Sequence, residues 1–115
     1  MVETSCHCGA IRFEVETAPT EVTDCNCSIC RRYGTLWAYY KADQVRRVPP
    51  AGTTDIYKCN DRDLEFHRCA SCGCITHWAG GDRVGVNARL MAPEILARAK
   101  VRRLDGADTW KYLGE

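Results

Sequence analysis

Long apolar runs are missing from this 115-residue chain. Nothing in it approaches the ~20 consecutive apolar residues that a membrane-crossing helix needs. An excess of one charge is missing as well: 16 Lys and Arg stand against 15 Asp and Glu, a formal +1 at pH 7. That balance offers no general footing on a phosphate backbone. The pairs Arg31-Arg32, Arg46-Arg47 and Arg102-Arg103 read first as solvated strand and turn faces. The opening Met1-Val2-Glu3-Thr4-Ser5 has neither the basic segment nor the apolar stretch of a secretory signal. The expectation is a soluble, cytoplasmic, reduced protein with no nucleic-acid or membrane partner. Linkers, low-complexity segments and long repeats are also absent, and the length suits one domain over residues 1–115.

What the chain has in excess is cysteine. Nine are present, and seven fall into three clusters: Cys6-His7-Cys8-Gly9, Cys25-Asn26-Cys27-Ser28-Ile29-Cys30 and Cys69-Ala70-Ser71-Cys72-Gly73. A reducing setting disfavours disulfides, and an odd count would strand one thiol. Metal remains. A zinc that only holds a fold is closed by four protein ligands, whereas a reactive zinc keeps three and leaves a position for water or substrate. Seven divides naturally into four and three. Loading two Zn²⁺ on seven thiolates would take the formal charge from +1 to about −2, which weakens the case for nucleic acid further.

Two clusters echo each other. Cys6-x-Cys8-Gly9 leads into a strand starting at Ala10, and Cys69-x-x-Cys72-Gly73 into one starting at Ile75. A glycine after the second cysteine lets the backbone turn so that its N–H groups aim at sulfur. Two such knuckles facing each other would complete one Cys₄ site. The middle cluster differs, because Cys25, Cys27 and Cys30 lie within six residues and can wrap one face of an ion unaided. Either that face stays open, or Cys59, Cys74, His67, His77 or His7 closes a second structural site. Cys59 and Cys74 can equally behave as small apolar residues.

Periodicity predicts short strands. Ile11, Phe13 and Val15 alternate with Arg12, Glu14 and Glu16 in the period-2 pattern of a half-buried strand. Leu36 to Tyr40 is an aromatic strand after Gly34, and Pro49-Pro50-Ala51-Gly52 marks a loop. Ile56-Tyr57-Lys58 and Leu64-Glu65-Phe66-His67 flank Asn60-Asp61-Arg62 as a hairpin delivering the chain to Cys69. Further strands are expected at Ile75 to Ala79, Val84 to Leu90 and Thr109 to Leu113, with a single helix from Pro93 to Ala99. Pro93 suits the first helical position, and Glu94 and Arg98 suit the dipole.

In order along the chain, Ser5-Cys6-His7-Cys8-Gly9-Ala10-Ile11-Arg12-Phe13, Cys25-Asn26-Cys27-Ser28-Ile29-Cys30-Arg31-Arg32-x-Gly34, Arg68-Cys69-x-x-Cys72-Gly73, Val86-Asn87-x-Arg89 and Asp105-Gly106-Ala107-Asp108 resemble the glutathione-dependent formaldehyde-activating (CENP-V/GFA) domain family. The resemblance implies a mainly β, Mss4-like fold of short antiparallel strands with one short helix near the C-terminus. It also implies two Zn²⁺ per chain, a structural one on Cys6, Cys8, Cys69 and Cys72 and a catalytic one on Cys25, Cys27 and Cys30. Cys74 stands where relatives would carry a small or hydroxyl residue, and Cys59 matches no family role.

The implied chemistry is that of a carbon-sulfur lyase, forming or breaking an adduct between glutathione, or another small thiol, and a small aldehyde such as formaldehyde. An open zinc position would hold the sulfur as thiolate. Three thiolate ligands would leave the centre at −1 and keep that sulfur nucleophilic. Glutathione carries carboxylates, and guanidinium forks suit them. Arg31 and Arg32 directly follow the reactive knuckle, with Arg89 as a further candidate, and Trp37, Tyr39 and Tyr40 could wall a groove. The competing reading is a non-catalytic zinc-stabilised binding module, chaperone-like or chromatin-associated.

Overall fold

Alternation builds the first strands. In β1 (Val2–Ser5) and β2 (Arg12–Val15), Thr4, Phe13 and Val15 are buried while Glu3, Arg12 and Glu14 reach the surface. The computed structural model describes residues 1–49, 52–59 and 64–115. The Asn60-Asp61-Arg62 turn and the Pro50-Ala51 part of the loop lie outside the described residues. A third strand, β5 (Val45–Arg47), adds to the far side of β2 and makes a three-stranded antiparallel sheet in the order β1-β2-β5.

Among the described residues, the remaining strands make one eight-stranded sheet. These are β3 (Glu21–Cys25), β4 (Trp37–Lys41), β6 (Thr54–Cys59), β7 (Leu64–Cys69), β8 (Ile75–Gly80), β9 (Arg83–Asn87), β10 (Lys100–Leu104) and β11 (Tyr112–Leu113). Their order is β11-β10-β3-β4-β9-β8-β7-β6. The pairings are antiparallel except that β10 runs parallel to β3, with Leu104 beside Cys25. A parallel pair needs a crossover, and here it includes a helix, α2 (Pro93–Arg98), with proline at its first turn and Glu94 and Arg98 at matching ends. The fold is mainly β, and the two arms expected as a hairpin, Ile56 to Lys58 and Leu64 to His67, pair antiparallel in a ladder that extends to Thr54 and Cys69.

Three details differ from the sequence reading. A second helix exists, α1 (Cys30–Tyr33), a single turn ended by Gly34 at φ 67°. The strand expected to reach Leu90 stops at Asn87, whose side chain accepts the Arg89 N–H at 3.2 Å and starts a 3-10 turn over Ala88–Leu90. The strand expected from Thr109 begins only at Tyr112, because Thr109 N–H and Oγ1 donate to Asp105 and Trp110 sits at φ 59°.

The large sheet buries a different set of side chains on each face. Ala38 and Tyr40 of β4 join Val15, Val22, Val86 and Met91 in the main apolar core. Trp37 packs instead with Cys25, Cys30 and Phe66. A third cluster, Cys6, Ile11, Phe13 and Cys69, lies where the small sheet meets the end of β7.

Candidate metal centres and an aromatic cavity

The two expected knuckles form and face each other. In the first, Cys6 N–H bonds the Ile11 carbonyl at 3.0 Å and Gly9 N–H the Cys6 carbonyl at 3.2 Å. In the second, Cys69 N–H bonds the Cys74 carbonyl and Gly73 N–H the Cys69 carbonyl, each at 2.9 Å. Gly9 at φ 82° and Gly73 at φ 79° occupy the left-handed region that makes both turns possible. The sulfurs of Cys6, Cys8, Cys69 and Cys72 all lie within 4.8 Å of one another.

Cys6 and Cys8 sulfurs are 3.7 Å apart, and those of Cys8 and Cys69 3.6 Å. A disulfide would require about 2.05 Å, whereas zinc–sulfur bonds of about 2.3 Å in a tetrahedron put sulfurs about 3.8 Å apart. The cluster therefore fits a tetrahedral ion. Backbone N–H groups approach the same sulfurs, Ile11 to Cys6 at 3.3 Å and Cys72 to Cys69 at 3.5 Å. N–H groups of Cys74 and Cys8 hold the Cys72 thiol down at about 5, burial opposing them. Such donors stabilise thiolate.

Cys25, Cys27 and Cys30 also converge within 4.8 Å. Cys25 ends β3, Cys30 begins α1, and Cys27 lies in the tight turn between them. The N–H of Cys27 points at Cys25 sulfur at 3.5 Å, that of Cys30 at Cys27 sulfur at 3.4 Å, and the indole N–H of buried Trp37 at Cys30 sulfur at 3.3 Å. The Cys25 thiol is lowered to about 6, first by a hydrogen bond from Cys30, with burial opposing and N–H groups of Cys27 and Gly106 assisting. Cys30 is raised, first as the donor in that bond and then by burial. Within the described residues no fourth Cys, His, Asp or Glu joins this group. His67 and His77 instead stack on each other, 4.1 Å between centroids.

The three cysteines border a cavity of about 480 Å³. Arg31, Trp37 and Tyr39 border it too, whereas Arg32, Arg89 and Tyr40 do not. Arg32 Nη1 donates to the Ser28 carbonyl at 2.7 Å, Arg89 Nε to the Gly34 carbonyl at 2.8 Å and Tyr40 hydroxyl to the Thr17 carbonyl at 2.7 Å. Cys74 is half-buried against the four-cysteine cluster.

Some contributors had no local signal. Gly106 lies so close to Cys25 that a Cβ there would stand 2.5 Å from its sulfur. Asn26 clasps that loop, donating to Asp105 Oδ1 at 3.1 Å and accepting from Ala107 N–H at 2.9 Å. Phe66, Trp78 and Trp110 complete the aromatic wall. The motif Asp105-Gly106 marked the loop, but neither spacing nor periodicity placed it beside Cys25.

A family described as glutathione-dependent formaldehyde-activating enzyme matches residues 1–101, a span that contains both cysteine clusters. The chain belongs to this family. A Halomonas elongata protein named "Putative glutathione-dependent formaldehyde-activating enzyme" is 37% identical over 82 residues, which cover 63% of this chain and 52% of that protein. The chain thus spans about half the length of that curated relative. The crystal structure of a Rhodobacter sphaeroides protein superposes with a TM-score of 0.72 at 29% identity, covering 86% of this chain and 98% of that one.

Proposed function

We propose that this protein is a zinc-dependent carbon-sulfur lyase that joins glutathione, or another small thiol, to a small aldehyde such as formaldehyde, or reverses that step. The observation that carries the proposal is the contrast between the two clusters. Four sulfurs close one centre, while three converge at the edge of a cavity. The names of the family and of the Halomonas relative supply the substrates. We take Cys6, Cys8, Cys69 and Cys72 as the structural ligands and Cys25, Cys27 and Cys30 as the catalytic ones, in one cytoplasmic domain over residues 1–115.

When bound at the three-cysteine site, zinc would supply an open coordination position at which a substrate sulfur is held as thiolate near neutral pH. The protein's own groups prepare that site. Donors to sulfur from Cys27, Cys30 and Trp37 keep the ligands anionic and oriented. Gly106 leaves room for Cys25 beneath the loop that Asn26 holds. Arg31 at the cavity edge offers a guanidinium to a thiol's carboxylate. Arg32 and Arg89, bonded to loop carbonyls, hold the reactive loop and α1 in place. Phe66 and Trp37, buried beside the thiolates, keep bulk water from that side.

Calorimetry on the zinc-loaded protein tests the proposal. Glutathione should bind at the three-cysteine centre, and S-methylglutathione, whose sulfur cannot become an anionic ligand, should bind much more weakly. A cobalt-substituted sample should change its spectrum with glutathione at one metal only. Equal affinity for the two thiol forms would remove the metal–thiolate basis.

A further inference from the structure

All three tryptophans of the chain, Trp37, Trp78 and Trp110, border the cavity beside the three cysteines, together with Tyr39 and Phe66. The strand register explains part of this concentration. Phe66 pairs with Trp78, Trp78 with Gly85 and Gly85 with Tyr39 across four adjacent strands. Directly opposed residues share a face, so one row of the sheet reads aromatic, aromatic, glycine, aromatic. The Trp78 indole lies flat over Gly85, where any Cβ would collide with it, and its ring centre is 5.9 Å from that of Tyr39.

Two more glycines act alike. A Cβ on Gly80 would strike Leu64, and one on Gly106 would strike Cys25. Leu64 and Cys25 both line the cavity. Glycine inside strands weakens them, yet here Gly80 and Gly85 let bulky side chains lie down and leave the space above them open. The polar groups that border the cavity include Asn26, Ser28 and Arg31, on the loop and single helical turn that carry Cys27 and Cys30. The cavity thus combines an apolar floor, made by strand residues together with Trp110 from the segment before β11, with a border that carries polar and cationic side chains.

A formaldehyde adduct presents one carbon to that floor and leaves the partly exposed rings of Tyr39, Trp78 and Trp110 wet. We propose that the cavity selects thiol adducts whose carbonyl-derived carbon carries an apolar substituent, aromatic or branched, over the adduct of formaldehyde. This inference rests on the reading of the three-cysteine site as the place where thiol and aldehyde join. The thiol S–H adds across the aldehyde C=O: the S–C bond forms, the carbonyl π bond breaks, and the thiol proton ends on oxygen. No electron donor or acceptor is needed. Each buried methylene contributes about fourfold in affinity, so a phenyl or isopropyl group on the floor should give at least about tenfold preference.

The test uses the zinc-loaded full chain and NMR exchange at equilibrium, with glutathione plus either formaldehyde or phenylacetaldehyde. Acceleration over the uncatalysed exchange should be at least about tenfold greater for phenylacetaldehyde. Tryptophan fluorescence provides a readout free of turnover, in which S-benzylglutathione should bind at least about tenfold tighter than S-methylglutathione. Trp110→Ala should bring both ratios down toward one. Gly85→Ala, which pushes Trp78 into the cavity, should do the same; if that variant does not fold, the half-exposed Trp110 carries the test. Ratios of one or less in the wild-type protein, with formaldehyde exchange accelerated, would overturn this inference and leave the lyase reading standing. Acceleration of neither aldehyde would overturn both. Ratios that survive both folded variants would overturn the aromatic floor as their source.

Discussion

Arg31, Arg32 and Arg89 are chemically alike and end in different situations. The heads of Arg32 and Arg89 are engaged by the Ser28 and Gly34 carbonyls, whereas Arg31 borders the cavity from the exposed side of α1. An exposed guanidinium meeting a carboxylate contributes about 1 kcal/mol at most. Arg31→Ala should therefore weaken glutathione binding about fivefold by calorimetry, and Arg32→Ala less than twofold; the reverse ranking would displace Arg31 from the proposed role. A second residue-scale effect concerns acid. Burial, then the charges of His67 and Arg47, hold His77 down at about 3 from an ordinary 6.5. Between those values the unfolded chain binds a proton that the folded chain refuses, so stability falls as pH falls below about 6.5. From about pH 7 to about pH 5 this one group should cost about 2 kcal/mol. Thiol protonation adds its own loss, so urea midpoints of wild type and His77→Gln should be compared. The variant should lose about 2 kcal/mol less over the same interval, and parallel pH profiles would exclude His77 as a contributor.

At the scale of elements, α1 shows why a four-residue helix escapes sequence reading. Its first residue is a cysteine among the candidate ligands, it has no side-chain N-cap, and it ends after one turn at Gly34. That glycine sits at φ 67° and returns its N–H to the Cys30 carbonyl at 3.0 Å, while Arg89 takes up the Gly34 carbonyl. Gly34→Ala forces a side chain into the left-handed region at about 1 kcal/mol. Its melting temperature should drop by about 4 °C, read by circular dichroism; an unchanged value would mean the turn relaxes into another conformation. Strands were legible in proportion to their alternation. β2, β4 and β8 carry clear apolar patterns, but β1, β3, β5 and β10 are short and rich in charged or polar residues. They exist because a neighbour completes their hydrogen bonds, as β10 finds β3 in parallel register.

Across the whole molecule, the two cysteine clusters differ in what they tie together. Cys6 and Cys8 follow β1 of the small sheet, while Cys69 and Cys72 lie at the turn between β7 and β8 of the large one. A metal held by that cluster would pin one sheet to the other. Its affinity would add to folding energy, on the order of 10 kcal/mol in zinc-finger peptides. Cys25, Cys27 and Cys30 tie only a six-residue loop. Cys72→Ser should therefore lose its cooperative melting transition or become insoluble, as should Cys6→Ser. Cys27→Ser should keep its far-ultraviolet spectrum and lose one of two metals by elemental analysis. Global unfolding of Cys27→Ser would make both clusters structural.

Spacing determined which cysteines group locally, because three sulfurs within six residues, or two followed by a knuckle glycine, are brought close by backbone geometry whatever surrounds them. The same holds for the hairpin that delivers Cys69 and for proline at the start of α2. That Cys6 and Cys8 meet Cys69 and Cys72 was decided by the fold. What stands over each cluster was decided only in three dimensions. Asn26 and Asp105 are 79 positions apart, and they meet because parallel pairing sets Leu104 beside Cys25. The aromatic floor arises from register across four strands, and Leu64, Trp78 and Cys25 reach their places on the cavity wall because Gly80, Gly85 and Gly106 carry no Cβ to collide with them. Local sequence encodes chain geometry over a few residues, whereas strand order and register depend on which partners complete each backbone hydrogen bond and bury each apolar face.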